Sequence, residues 1–309
     1  MTLKGPSDIV KCNRKWHRMD DYKYLFRETC AGSANLTNAV KLVIGSEKVA
    51  PPEDRKYNKQ HDLLVDRVYE RKKKEAKDRD CFLNHYAPEC ASFTYAQAQH
   101  QQRSMKAPCG DPDAGELRPK VLDGSKLAVR VAALCEIHHQ VGDAFSAEHV
   151  FPTPMLQFES WKELVAMPGV FSFTWDNCQF GEQYLHRQIL VTNCPFLAVL
   201  AKDCPNTPQK RVHDHLTIGF GKDIQTTDVS AYAKRWCRAY ARALDEFVQA
   251  PGDTLCIHCQ TTPAAAVPLR RREAVRRCAE AVKLVEWFDG MEVDVETRDN
   301  EVCLVVRDR

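Results

Sequence analysis

Tyr24-Leu25-Phe26-Arg27-Glu28-Thr29-Cys30-Ala31-Gly32-Ser33-Ala34-Asn35 is the stretch on which the fold turns. Tyr24-Leu25-Phe26 reads as a short buried strand, and the chain then turns through Cys30-Ala31-Gly32-Ser33. From Ala34 to Val43 the apolar residues recur at helical spacing, until Gly45 stops the helix. A strand that ends in a glycine turn and opens a helix is the first unit of an alternating β/α chain. Its glycine lets a backbone come close to a ligand at the strand end.

The same rhythm continues downstream. A second strand runs through Lys48-Val49-Ala50 into Pro51-Pro52-Glu53-Asp54, a charged amphipathic helix covers Leu63 to Lys77, and a third strand runs from Cys81 to Tyr86. Residues 94–124 are polar, rich in Gln, Pro and Gly and without a period, which predicts a long loop. Helices are expected over Ser125 to Val141 and Phe158 to Met167, with strands at Ala144 to Ala147, Val170 to Trp175 and Gln188 to Thr192. Such alternation predicts an α/β fold with a Rossmann-like, doubly wound, mostly parallel sheet. Beyond Pro205 the pattern changes to a short strand near Leu216 to Phe220, a helix from Val229 to Val248, a second basic helix and a terminal hairpin around Asn300-Glu301. The expected organisation is a basic lead over 1–21, a main domain over 22–205 and a small α+β appendage over 206–309.

With 309 residues, 44% hydrophobic and 28% charged, the chain has the composition of an ordinary globular protein. No run approaches the roughly eighteen apolar residues of a membrane span, and Met1 to Asp20 carries charges where a signal peptide needs an apolar core. The expected setting is intracellular, with no membrane partner. In that setting the fourteen cysteines read as thiols, metal ligands or a nucleophile rather than a disulfide framework. The net charge of +2 is too small to announce a nucleic-acid partner by itself, but basic runs at Lys11 to Arg18, Arg71 to Lys74 and Arg270 to Arg277 could meet phosphates or serve as solvated faces.

Three places at predicted strand ends could carry chemistry. Glu28 to Asn35 surrounds the glycine turn, where Glu53 or Asp54 could accept from a ribose and Asp62 from an adenine amino group; a plain structural turn has the same signature. Ala87-Pro88-Glu89-Cys90 sets a thiol after the third strand, where it could act as a nucleophile or pack as a small apolar residue. Glu148 closes another strand and would converge with Cys90 on one side of the sheet.

In this order the segments resemble the cytosine-C5 methyltransferases. Cys30-Ala31-Gly32-Ser33-Ala34 is similar to their cofactor turn, Ala87-Pro88-Glu89-Cys90 to their nucleophile loop and Glu148-His149-Val150 to their Glu-Asn-Val. Phe180-Gly181-Glu182-Gln183 with His186-Arg187 is similar to their Phe-Gly-x-x-Gln-x-Arg-x-Arg segment, and the intervals from Gly32 to Cys90 and from Cys90 to Glu148 are both 58 residues. The resemblance covers residues 22 to 205 and is nearest to divergent segments associated with eukaryotic mobile elements. It implies a class I fold, S-adenosylmethionine as cofactor held by Glu28, Cys30, Gly32, Ala34, Asp54, Asp62 and Pro88, and a nuclear enzyme acting on nucleic acid, DNA before RNA. Cys90 would attack C6 of an extruded cytosine, Glu148 would stabilise the ring, and Arg187 with His186 would hold the base or a phosphate. Ala34 stands at the family's second glycine, Glu89 at its second proline and His149 at its asparagine. A rival reading is therefore a domain of the same fold that binds without catalysing.

An independent group lies downstream. Cys178, Cys204, His213 and His215 could meet as a tetrahedral zinc site, with Cys194 able to replace either thiol, or Cys178 could be core and His213-Asp214-His215 a polar loop. With zinc, a further rival is a zinc-stabilised nucleic-acid-binding or assembly protein. Cys256-Ile257-His258-Cys259 is a lone CxxC without partners.

Overall fold

A computed structural model describes residues 22–93, 102–111, 115–207, 210–216 and 231–249, with the backbone of 291–298 and 301–308. Five strands, β1 (Tyr24–Thr29), β2 (Cys81–Tyr86), β3 (Ala144–Val150), β4 (Phe171–Asp176) and β5 (Arg187–Thr192), form one sheet in the order β1-β2-β3-β5-β4. β1, β2 and β3 are parallel, and β5 runs antiparallel to both of its neighbours. The fold is thus α/β with a mixed sheet, compatible with the expected Rossmann-like class. The reversal follows from chain length. Only the ten residues 177–186 separate β4 from β5, and a parallel crossover needs about a dozen or more.

The strand expected at Lys48-Val49-Ala50 is reduced to two parallel bridges beside β1, Phe26 to Val49 and Thr29 to Glu53. Pro51 and Pro52 have no amide proton to give a ladder, so pairing cannot run through them. The helix expected from Ser125 begins earlier, as α3 (Pro119–Val141), with proline in its first turn, where the missing N–H costs nothing.

Helices cover both faces of the sheet. α2 (Asp66–Asp78), α3 and α4 (Glu159–Val165) bury Val68, Val131, Leu134 and Trp161 against Phe145 and Val191. On the other face α1 (Asn35–Ile44) and α5 (Lys234–Val248) bury Leu36, Val40, Trp236, Tyr240 and Leu244 with Phe26, Trp175 and Leu190. Trp236 stacks on Trp175 with ring centres 4.9 Å apart. α5, which the sequence places in the appendage, therefore shares the core of the main sheet. Its buried positions recur at three- and four-residue intervals while Lys234, Arg235, Arg238 and Arg242 stay exposed.

At the C-terminus β6 (Met291–Arg298) and β7 (Glu301–Asp308) pair antiparallel, with Arg298 opposite Glu301, as the expected hairpin. Of the strand expected over Leu216 to Phe220, Leu216 bridges to Tyr184 and the remainder lies outside the described residues. The basic runs Lys11 to Arg18 and Arg270 to Arg277, and the CxxC at Cys256, also lie outside them. Among the described residues no helix is long and apolar enough to cross a membrane.

Candidate functional site

The parallel register sets the site. Thr29 lies opposite Tyr86, and Tyr86 opposite Ala147. The glycine turn, the Cys90 loop and Glu148 thus leave three adjacent strands at one edge. Ligands of doubly wound sheets bind at that edge.

In the glycine turn Cys30, Gly32 and Ala34 all have left-handed backbones, with φ of 62°, 52° and 55°. For the two residues with a side chain this costs about 1 kcal/mol each. The turn is held from both sides. The Gly32 N–H donates to Asp54 Oδ2 at 2.9 Å, and the Tyr57 hydroxyl donates to the Gly32 carbonyl at 2.5 Å. A Cβ added to Gly32 would meet nothing within 4 Å, so the turn's outer side is open.

Glu28 is buried and its Oε2 accepts from the Thr37 amide at 2.7 Å and the Thr37 hydroxyl at 2.5 Å. It caps α1, whose N-cap, Ala34, has no side chain able to do so. Burial pushes the Glu28 carboxyl up to about 7. The choice between Glu53 and Asp54 is resolved: Glu53 is spent on Lys72 at 2.5 Å and on Thr29 at 3.3 Å, and Asp54 faces the turn. Asp62 accepts from the Leu64 amide at 2.9 Å, and Pro88 is buried behind the nucleophile loop. Burial, Asp54, Glu53 and Asp62 all raise the Cys30 thiol, which gathers these acids around the turn.

The Cys90 thiol is pushed up to about 12, first by burial, then by Glu148 and Glu89. Glu89 itself is paired with Arg55 at 2.6 Å. Glu148 ends a buried polar chain. Its Oε1 accepts from Gln188 at 2.8 Å and its Oε2 from the Tyr232 hydroxyl at 3.0 Å. Tyr232 is 2.9 Å from His85 Nε2, His85 Nδ1 is 2.8 Å from Ser146 Oγ, and Ser146 Oγ is 2.7 Å from the Tyr240 hydroxyl. Burial pushes His85 down to about 3, so the ring is neutral and carries one proton. With Tyr232 donating to Glu148, His85 Nε2 must hold that proton, and every hydroxyl in the chain then points its hydrogen toward Glu148. Sequence reasoning missed His85, Ser146, Gln188 and Tyr232. The only signal was a polar pair, Asn84-His85, inside an otherwise apolar strand.

Burial also pushes the Glu148 carboxyl up to about 7. The folded protein therefore keeps a proton there that the unfolded chain releases in the ordinary carboxylate range. The resulting stabilisation is complete below that range and is lost as pH rises through about 7. Thermal midpoints of the wild type should fall more steeply between pH 5 and 8 than those of Glu148→Gln, as measured by calorimetry. Parallel slopes would show that Glu148 is not held in this way.

Arg187 stands apart from this edge chemistry. It forms a two-pronged pair with Asp176 at 2.9 and 2.7 Å and reaches Asp203 at 3.1 Å, while no described bond joins it to Glu148. Asp176 also accepts from the Cys204 amide at 2.7 Å. Beside it Cys178, Cys204, His213 and His215 come together, with one donor atom from each lying within 4.8 Å of the others. Cys194 is buried in the core, 3.5 Å from the Phe145 carbonyl, and takes no part.

A cleft of about 420 Å³ opens between the N-terminal ends of α1 and α5, lined among others by Asn35, Phe180, Tyr184, Tyr232, Arg235 and Arg238. Tyr232 is shared by this cleft and the Glu148 chain. Lys234, Arg235, Arg238 and Arg242 form no ion pair among the described residues. No protein-family model matches the chain, and no curated protein matches it.

Proposed function

We propose that this chain is an S-adenosylmethionine-dependent cytosine-C5 methyltransferase-like enzyme acting on DNA, with Cys90 as nucleophile. The observation that carries the reading is the register of Thr29, Tyr86 and Ala147, by which the turn, the thiol and the carboxylate share one sheet edge. The reversed strand between β3 and β4, with α5 returning over α1, supports the class I form of the fold.

The residues at the turn fit the cofactor chemically. Above Gly32 there is room, the Asp54 carboxylate, which accepts from the Gly32 and Lys56 amides, lies beside the turn, and Glu28 Oε1 has no partner among the described residues, as an acceptor awaiting a donor would be. Bound there, S-adenosylmethionine supplies an electrophilic methyl group. The cytosine must first leave its stack. Attack of Cys90 Sγ on C6 drives electron density toward N3 and C5. Glu148, half protonated near neutrality, donates to N3 and steadies that charge. Protonation of Glu148 also removes its repulsion of the Cys90 thiolate, so one proton serves both residues. C5 would then take the methyl group while the sulfonium leaves as a neutral thioether; the C5 proton would pass to solvent, as the Cys90 thiol proton does on attack, and breaking of the C6–S bond would return the Cys90 thiolate.

The α5 cations, which form no ion pair among the described residues, suit DNA phosphates. Replacing Arg235 and Arg238 with alanine should lower the slope of log affinity against log salt by about two while sparing the fold. An unchanged slope would remove α5 from the interface.

The test of the main reading is calorimetric titration of S-adenosylmethionine, followed by transfer of a labelled methyl group to single- and double-stranded DNA and to RNA. One bound cofactor per chain and label at cytosine C5 of DNA are expected; no binding would overturn the proposal. A second reading, cofactor or nucleic-acid binding without catalysis, is favoured by the high Cys90 thiol and its two acidic neighbours. Binding without transfer would select it.

A further inference from the structure

We infer that Cys178, Cys204, His213 and His215 bind one zinc ion, and that this ion pins the wall of the cationic cleft. The inference stands independently of the methyltransferase reading. Cys204 Sγ lies 3.6 Å from Nε2 of both His213 and His215, and the two Nε2 atoms are 2.9 Å apart. A tetrahedral zinc with bonds of about 2.3 Å to sulfur and 2.0–2.1 Å to nitrogen has S···N edges of about 3.5 Å and N···N edges of about 3.3 Å. The three edges among Cys204, His213 and His215 match these to within a few tenths of an ångström, and the Cys178 thiol lies within 4.8 Å of all three donors. Four soft or borderline donors face one another at these distances. One dication accepts all four, and two thiolates balance its charge.

The loops that bring the donors together are built for it. Asp176, fixed by Arg187, accepts from the Cys204 amide at 2.7 Å. Asn206 accepts from the His213 amide at 3.2 Å and donates to the His213 carbonyl at 2.8 Å, so one side chain clamps that residue's backbone. With four protein ligands there is no open coordination position, which makes the site structural rather than catalytic.

Its consequence lies two residues beyond Cys178 and one beyond His215. Cys178 belongs to the 3-10 turn Asn177–Phe180, and Phe180 lines the cleft. His215 precedes Leu216, whose amide donates to the Gln183 carbonyl at 2.7 Å beside Tyr184, another lining residue. The metal thus joins three chain segments that isolated bridges, Trp175 to Lys202 and Tyr184 to Leu216, already bring side by side. It fixes the Phe180–Tyr184 wall opposite Arg235.

Full-length protein purified without chelator should contain one zinc per chain by elemental analysis. Exchange for cobalt should give the visible bands of a tetrahedral ion and thiolate charge transfer. Cys204→Ser should lose metal and Cys109→Ser, at an exposed cysteine, should keep it. Should Cys204→Ser fail to fold, cobalt titration into chelator-stripped wild type decides. Folded wild-type protein with far less than one zinc and no cobalt spectrum would overturn the metal site. Hydrogen exchange on the full chain tests its role: chelation should raise exchange around Phe180 to Tyr184 and leave β1 to β3 protected. Unchanged exchange there would overturn the pinning role.

Discussion

Cys90→Ser is expected to lower methyl transfer by on the order of 10⁶-fold, the scale seen when a covalent nucleophile is removed, with S-adenosylmethionine affinity unchanged. A serine hydroxyl ionises far above even the raised thiol of Cys90, so the attack on C6 loses its nucleophile. Cofactor binding is spared because the bonds between Cys90's loop and the turn region, from the Ala87 amide to the Thr29 carbonyl at 3.2 Å and from Arg55 to Glu89 at 2.6 Å, do not use the Cys90 side chain. Labelled transfer and calorimetry on the same preparation check both halves. Transfer at the wild-type rate would remove Cys90 from the mechanism. Loss of cofactor binding would show that the side chain supports the turn.

The largest loss of stability is expected from Trp236→Ala, about 3–5 kcal/mol. Trp236 is fully buried, stacked on Trp175 and in contact with Tyr232 and Tyr240 at ring separations of 4.8 and 5.4 Å. Its removal leaves a cavity where α5 meets α1 and the sheet, among chains too well anchored to collapse into it. The indole nitrogen is buried without a partner, so Trp236→Phe should cost less. Urea unfolding of both variants reads the effect, and a midpoint for Trp236→Ala equal to that of wild type would detach α5 from the core. Because Tyr240 sits on α5 with Trp236, and Tyr232 just before the helix packs on the same indole, the alanine variant should also loosen the hydrogen bonds that end on Glu148.

Much of this was legible in the chain. A strand from Cys81 to Tyr86 follows from its short, mainly apolar run closed by Ala87-Pro88, and the edge position of Gly32, Cys90 and Glu148 follows from counting strands in a parallel sheet. The four donors of the cysteine and histidine cluster could be read as well, because so few residue types can hold a transition metal. Other features were hidden. The reversal of β5 depends on how few residues connect it to β4, and the shortened second strand depends on Pro51 and Pro52. Arg187 resembled a base-holding residue in its local motif, yet it pairs with Asp176, the residue opposite it on β4, a pairing set by the strand register.

What the sequence by itself determined is periodicity, turn chemistry and the identity of reactive side chains, since these are encoded in neighbours along the chain. Only the tertiary structure decided which of Glu53 and Asp54 faces the turn, that α5 belongs to the main core, and that His85, Ser146, Tyr232 and Tyr240 form one chain of hydrogen bonds to Glu148. Those contacts join residues up to 147 positions apart, such as His85 and Tyr232. Local pattern carries no information about such a pair, because the need of a buried polar group for a partner is met by whatever the fold places beside it.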